Sequence, residues 1–120
     1  MEIGLLTVET KTEDLAVITK LTGRLDVLTS RDLDRHIHEI LQTSPKVLIL
    51  DLSKLDYVSS AGLRVLLQAR KTLKVTGGTV CLCAANEFVG GVLSTTGFTG
   101  IFPCFDTVSA ALQANADALG

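Results

Sequence analysis

One stretch constrains this chain more than any other. An unbroken apolar run, Val47-Leu48-Ile49-Leu50, ends at Asp51-Leu52-Ser53-Lys54-Leu55-Asp56-Tyr57-Val58-Ser59-Ser60-Ala61-Gly62-Leu63, and a helical pattern follows. A run without polar alternation is a strand covered on both faces. The helix that follows repeats Leu63, Leu66, Leu67 and Leu73 on one side, with Arg64, Gln68 and Lys71 on a wetter one. Two carboxylates and three serine hydroxyls therefore gather where a buried strand hands over to a helix start. Helix starts leave backbone N–H groups unpaired and carry partial positive charge, so they favour hydroxyl caps and anionic groups. Either Ser59 or Ser60 serves as that cap.

The rest of the chain supplies a sheet and helices for this seam. Residues 3–10 and 15–21 flank a polar turn, Lys11-Thr12-Glu13-Asp14, and read as a hairpin. Thr22-Gly23-Arg24-Leu25-Asp26 reads as a turn, with Gly23 at an angle other residues resist. A helix is expected from Thr29 or Ser30, with Asp32 in its first turn and Leu33, Ile37, Ile40 and Leu41 on one stripe. Ser44-Pro45 ends it. Thr76-Gly77-Gly78 carries stop chemistry for the helix after the seam. Residues 79–84 form a further apolar strand. Asn86 caps a short helix through Val89, Val92 and Leu93, weakened by Gly90 and Gly91. Pro103 marks 101–105 as an edge strand, and Asp106 caps a last helix with Val108, Ala111 and Leu112 along one side. Strands alternating with single helices predict an α/β domain, with a mixed, mostly parallel sheet of about four or five strands and about four helices. The whole chain, 1–120, is expected to be one domain with an ordered core over 3–116.

Several functions are excluded or disfavoured. The formal net charge of −2 gives no electrostatic case for nucleic acid or an anionic membrane. No apolar run approaches the roughly 20 residues that span a bilayer, and no secretory leader is evident, so a cytoplasmic location is expected. Phosphate-binding glycine loops and a nucleophile elbow are missing, and His36 and His38 lie on a helix, so no catalytic triad is assembled. Asp26, Asp51 and Asp56 could converge, but carboxylates alone are weak evidence for acid–base chemistry. Cys81 and Cys83 lie two apart in an apolar strand and point to one face as buried hydrophobes, not as metal ligands. Neither catalysis nor a cofactor is expected.

Asp-Leu-Ser, an aromatic, then Ser-Ser-Ala-Gly-Leu closely resembles the signature of STAS domains, the family of bacterial anti-sigma factor antagonists. Leu21-Thr22-Gly23-Arg24-Leu25-Asp26, the basic helix end running to Gly77-Gly78, Leu93-Ser94-Thr95-Thr96-Gly97-Phe98 with Phe102, and Ala110-Ala111-Leu112 resemble further family segments in the same order. The resemblance implies a protein, not an enzyme, that docks unphosphorylated on a serine kinase acting as an anti-sigma factor, and so releases the sigma factor. The kinase phosphorylates a serine two residues before the signature glycine, Gly62, which is Ser60 here, with Ser59 as second choice; a serine phosphatase restores it. A docking surface of Arg24, Asp26, Asp56, Ser59, Ser60, Gly62 and Arg64 is expected, on a protein monomeric when free. If Gly23 lies beside Ser60, Arg24 could reach a phosphate there. Ser59 where relatives commonly have aspartate, Arg24 where many are acidic, and Gly90-Gly91 in the third helix depart from the pattern. Two other readings are an unphosphorylated interaction subunit of a transporter or signalling scaffold, and a small-ligand or nucleotide-binding module.

Overall fold

A computed structural model describes residues 2, 3 and 5–119; Met1, Gly4 and Gly120, part of the expected single domain, lie outside the described residues. Among the described residues six strands form one sheet in sequential order: β1 (Glu2–Ile3), β2 (Leu6–Glu13), β3 (Ala16–Leu25), β4 (Val47–Val58), β5 (Thr79–Cys83) and β6 (Cys104–Phe105). The β1/β2 and β2/β3 pairs are antiparallel, whereas β3/β4, β4/β5 and β5/β6 are parallel. The helices are α1 (Val27–Leu41), α2 (Ser60–Val75), α3 (Glu87–Thr95), α4 (Val108–Ala114) and α5 (Ala116–Leu119). This is the mixed, mostly parallel α/β architecture expected, with the short β1 and α5 added to the four or five strands and four helices anticipated, and the edge strand at 101–105 reduced to the two residues of β6.

The sheet is covered unevenly, and its sequence says why. On one face Leu6, Val8, Val17, Leu21, Leu48, Leu50, Val80 and Leu82 pack against Leu33, Ile37 and Ile40 of α1, Leu63, Leu66 and Leu73 of α2, and Val89 and Leu93 of α3. On the other, Ala16, Val47, Ile49, Cys81 and Cys83 lie under Ala111, Val108 and Leu112 of α4. Parallel strands buried from both sides need continuous apolar runs, which is what 47–50 and 79–83 provide. The α1 stripe of Leu33, Ile37 and Ile40 is buried, with Leu41 at its margin. In α2, Leu67 differs from expectation and stays 39% exposed, because it lies between the core stripe and the charged side. The α2 stop is a Schellman turn: Gly78 N–H donates to Leu73 O and Gly77 N–H to Lys74 O, each at 3.0 Å.

Several boundaries differ from expectation. The hairpin strands run up to Glu13 and from Ala16, leaving a two-residue turn in which Asp14 has φ 53°. Segment 22–26 is not a turn: β3 continues to Leu25, and Gly23 (φ 111°) sits in a β-bulge where the β3/β4 register shifts. A Cβ on Gly23 would stand 2.1 Å from Leu5 O, so glycine lets the strand bend past its neighbour. Similarly β4 runs through Asp51 to Val58, so most of the signature is strand. The last helix takes Thr107 as its cap, Thr107 Oγ1 accepting from Ala110 N–H at 3.0 Å; Asp106 lies one residue outside.

Candidate functional site

Parallel strands β3 and β4 both end at the same edge of the sheet, where Leu25 pairs with Val58. A helix leaves each strand at once, so α1 and α2 begin side by side. Their caps come from adjacent chemistry. Asp26, expected before the first helix, is its N-cap: its carboxylate accepts from Leu28 N–H and Thr29 N–H, both at 3.0 Å. Thr29 Oγ1 accepts from Asp26 N–H at 2.9 Å in return, completing a capping box. The helix therefore starts at Val27, and Thr29 and Ser30 lie buried within its first turn. The Ser30 hydroxyl donates to Asp26 O. Donors at both backbone positions hold the Asp26 carboxyl below the usual carboxylate range, the Thr29 amide contributing most, Leu28 less, and the nearby Arg24 charge least.

The two serines divide their roles. Ser59 caps α2, its hydroxyl accepting from Gly62 N–H at 3.2 Å, while Ser59 N–H donates to Leu25 O at 2.8 Å and ties the α2 start to the end of β3. Ser60 is the first helical residue; it is exposed, and its hydroxyl makes no hydrogen bond among the described residues. Gly62 is buried: a Cβ there would stand 2.6 Å from Leu25 Cγ and 3.1 Å from Leu25 O. Its role is to let α2 sit down on β3, so it underlies the surface instead of forming it. Arg64 is exposed one helical turn beyond Ser60. Together with Arg31, it lines an open groove between α1 and α2 whose walls include Val27, Ala61 and Val65.

The remaining expected residues separate. Asp56 is exposed two residues before the end of β4, on the same edge as Ser59. Asp51 does not converge with it or with Asp26: half-buried in mid-strand, it pairs in register with Lys20 and with Cys83, and accepts from Ser53 N–H at 3.0 Å. Arg24, which could have faced a phosphate on Ser60, holds its guanidinium 4.2 Å above the centroid of the Tyr57 ring, its cross-strand partner. Tyr57 in turn stacks with Phe88 of α3, ring centroids 6.3 Å apart. Asn86 braces this corner, capping α3 at Val89 N–H (2.8 Å) and donating from Nδ2 to Leu55 O (3.0 Å).

Sequence reasoning missed the apolar surface around these groups. Val27 and Leu28 are 64% and 82% exposed, and Phe88 is 55% exposed. The signal was available for the first two. The buried stripe of α1 does not pass through 27 or 28, and a hydrophobe at the first positions of a helix that misses its stripe faces solvent.

Away from this edge, Cys81 and Cys83 are buried on one face of β5 as expected, and burial pushes Cys83 up to about 12 and Cys81 in the same direction. His36 reaches from α1 to Thr10 Oγ1 on β2 at 3.1 Å, and His38 pairs with Gln42 Nε2 one turn on along the helix surface at 3.3 Å.

An α/β sheet of sequential strands, with a capped serine pair at the start of the helix after β4, defines a STAS domain. The chain belongs to that family: the STAS domain model matches residues 7–111. A Bordetella bronchiseptica protein, provisionally described as the anti-sigma factor antagonist BtrV, is 34% identical over 106 residues, covering 88% of this chain and 91% of its own. An anti-sigma F factor antagonist of Paenibacillus polymyxa is 31% identical over 91 residues, covering 75% and 78%. The crystal structure of an anti-sigma factor antagonist from Mycobacterium paratuberculosis superposes with a TM-score of 0.84 at 26% identity, covering 91% of this chain and 92% of that one. No helix among the described residues is long and apolar enough to cross a membrane.

Proposed function

We propose that this chain is an anti-sigma factor antagonist, a regulator of transcription and not an enzyme, that binds an anti-sigma factor kinase when Ser60 is unmodified and releases it when Ser60 carries phosphate. The whole chain acts as one such domain. One observation carries the assignment of Ser60. Of two adjacent serines at the α2 start, Ser59 spends its hydroxyl on the cap, whereas Ser60 presents an exposed, uncommitted hydroxyl. A kinase needs the second kind.

The surroundings fit a docking face. Val27, Leu28 and Phe88 give exposed apolar area, and Arg24 and Tyr57 add residue types that anchor interfaces. Asp26 at the cap of α1, Asp56 near the end of β4 and Arg64 one helical turn beyond Ser60 add charge to this side of the domain. Phosphate adds about −1.5 to −2 charges and three acceptor oxygens. At a helix N-terminus that charge is tolerated by the fold. At an interface it must be desolvated, which is costly without a cation opposite. Binding is thereby switched while the domain stays folded. A phosphatase, expected of the same circuit, resets it.

Calorimetric titration of the anti-sigma factor tests this. Ser60→Ala should bind like the wild type, and Ser60→Asp should bind about tenfold or more weakly, with both variants as folded as the wild type. Equal affinity for all three would remove Ser60 from the interface.

A further inference from the structure

We propose that a phosphate on Ser60 is clasped within the domain by the Arg64 guanidinium, one helical turn on, with Arg31 closing from α1 across the groove. The inference rests on Ser60 being the phosphoacceptor and concerns what holds the phosphate once it is there.

Three features point to it. Ser60 and Arg64 are spaced i, i+4 on α2, which puts their Cβ atoms roughly 5–6 Å apart on one face. The anionic member lies N-terminal to the cation, the better orientation of such a pair. Side chains on a helix lean toward its N-terminus, so Arg64 leans toward Ser60, and Arg31 leans toward the start of α1, where the two helices begin together. Both guanidinia are uncommitted: among the described residues, neither Arg31 nor Arg64 takes part in an ion pair or side-chain hydrogen bond. Arg24, by contrast, is already stacked on Tyr57. Guanidinium forks match phosphate oxygens in pairs, which a lysine point charge does not.

The charged groups facing this end of α1 and α2 are the α1 cap Asp26, Arg31 and Asp34 on α1, Asp56 on β4, Arg24 on β3 and Arg64 on α2. The carboxylates raise the second pKa of a phosphate at Ser60 and the helix start lowers it, in the wild type and in arginine variants alike. A comparison between these proteins therefore isolates the clasp.

The test uses the full chain with phosphoserine installed at position 60 during translation, so that no kinase is needed, and follows the phosphorus resonance through a pH titration. Without a clasp the second pKa lies near about 6. With it, Arg64→Gln should raise that pKa by several tenths of a unit, and Arg31→Gln/Arg64→Gln should raise it further. Added salt should shrink the difference. Arg24→Gln, which removes a charge held on the Tyr57 ring, should raise the pKa less than Arg64→Gln does; equal shifts would mean a through-space charge effect and no clasp. If the double variant titrates with the wild type, the clasp does not exist. Failure of a kinase to label Ser60 would instead sink the functional reading and leave this titration unchanged, so the two outcomes are distinct.

Discussion

Gly62→Ala probes the packing that places the serine pair. An added Cβ would lie 2.6 Å from Leu25 Cγ, 2.9 Å from Leu25 Cδ2 and 3.1 Å from Leu25 O. The side chain cannot yield easily, because Leu25 is fully buried in the core under α1 and α2. The carbonyl cannot yield either without stretching its 2.8 Å bond from Ser59 N–H. Overpacking of this kind costs about 1–3 kcal/mol, and the better helix propensity of alanine returns up to about 1 kcal/mol. The net loss expected is about 1–2 kcal/mol, read as a lower urea midpoint with unchanged slope. Gly91→Ala supplies the opposite sign in the same domain. A Cβ there meets nothing within 4 Å and lies inside α3, so a gain of about 0.5–1 kcal/mol is expected. If Gly62→Ala were as stable as the wild type, the close approach of α2 to β3 would not be what requires glycine.

Ser59→Ala should lower stability by about 1 kcal/mol by removing the α2 cap, whereas Ser60→Ala should leave the urea midpoint unchanged; the reverse order would exchange their roles. Because the folded state holds the Asp26 carboxyl below its unfolded value, its contribution is fully present above the ordinary carboxylate range and is lost as pH falls through the lowered value. Asp26→Asn, which retains capping ability, should therefore show a weaker loss of stability between neutral pH and pH 3 than the wild type does; identical pH profiles would deny the cap this role. Native-state thiol labelling should modify the exposed Cys104 and spare Cys81 and Cys83, the last of which burial holds near about 12; fast labelling of all three would contradict their packing under α4.

Much of this architecture was legible where its chemistry is local. Asn86 before a short apolar repeat, Thr76-Gly77-Gly78 after a long one, and the unbroken runs at 47–50 and 79–83 each declare an element from a few neighbouring residues. What escaped depends on partners distant in sequence. Strand β4 runs on through Leu52, Leu55 and Val58, whose three-residue spacing does not alternate as a strand should. Only the register shifts against β3 bring all three to the same core. Gly23 reads as a turn for the same reason: its φ belongs equally to a turn or a bulge, and the strand beside it decides. Asp26, Thr29 and Ser30 are all good caps for the start of α1, and local preference does not rank them once a capping box joins two of them.

The site was legible as a set of residues but not as an arrangement. The seam at 51–63 named Ser59 and Ser60 without saying which was the cap; that follows from which backbone N–H each hydroxyl meets. The family resemblance sets Arg24 near the serines, yet its cross-strand pairing with Tyr57 commits it to an aromatic face. Arg31, nearly thirty residues before Ser60 in the chain, joins the site only because α1 and α2 lie side by side.

Which hydroxyl accepts phosphate decides whether Ser60 is the switch. Incubating the wild type, Ser59→Ala and Ser60→Ala with the cognate anti-sigma factor kinase and ATP, followed by mass spectrometry of the peptide spanning 55–64, reads this directly. Phosphate on Ser60 in the wild type and in Ser59→Ala, and none in Ser60→Ala, is the predicted result. Labelling that persists in Ser60→Ala and vanishes in Ser59→Ala would contradict it.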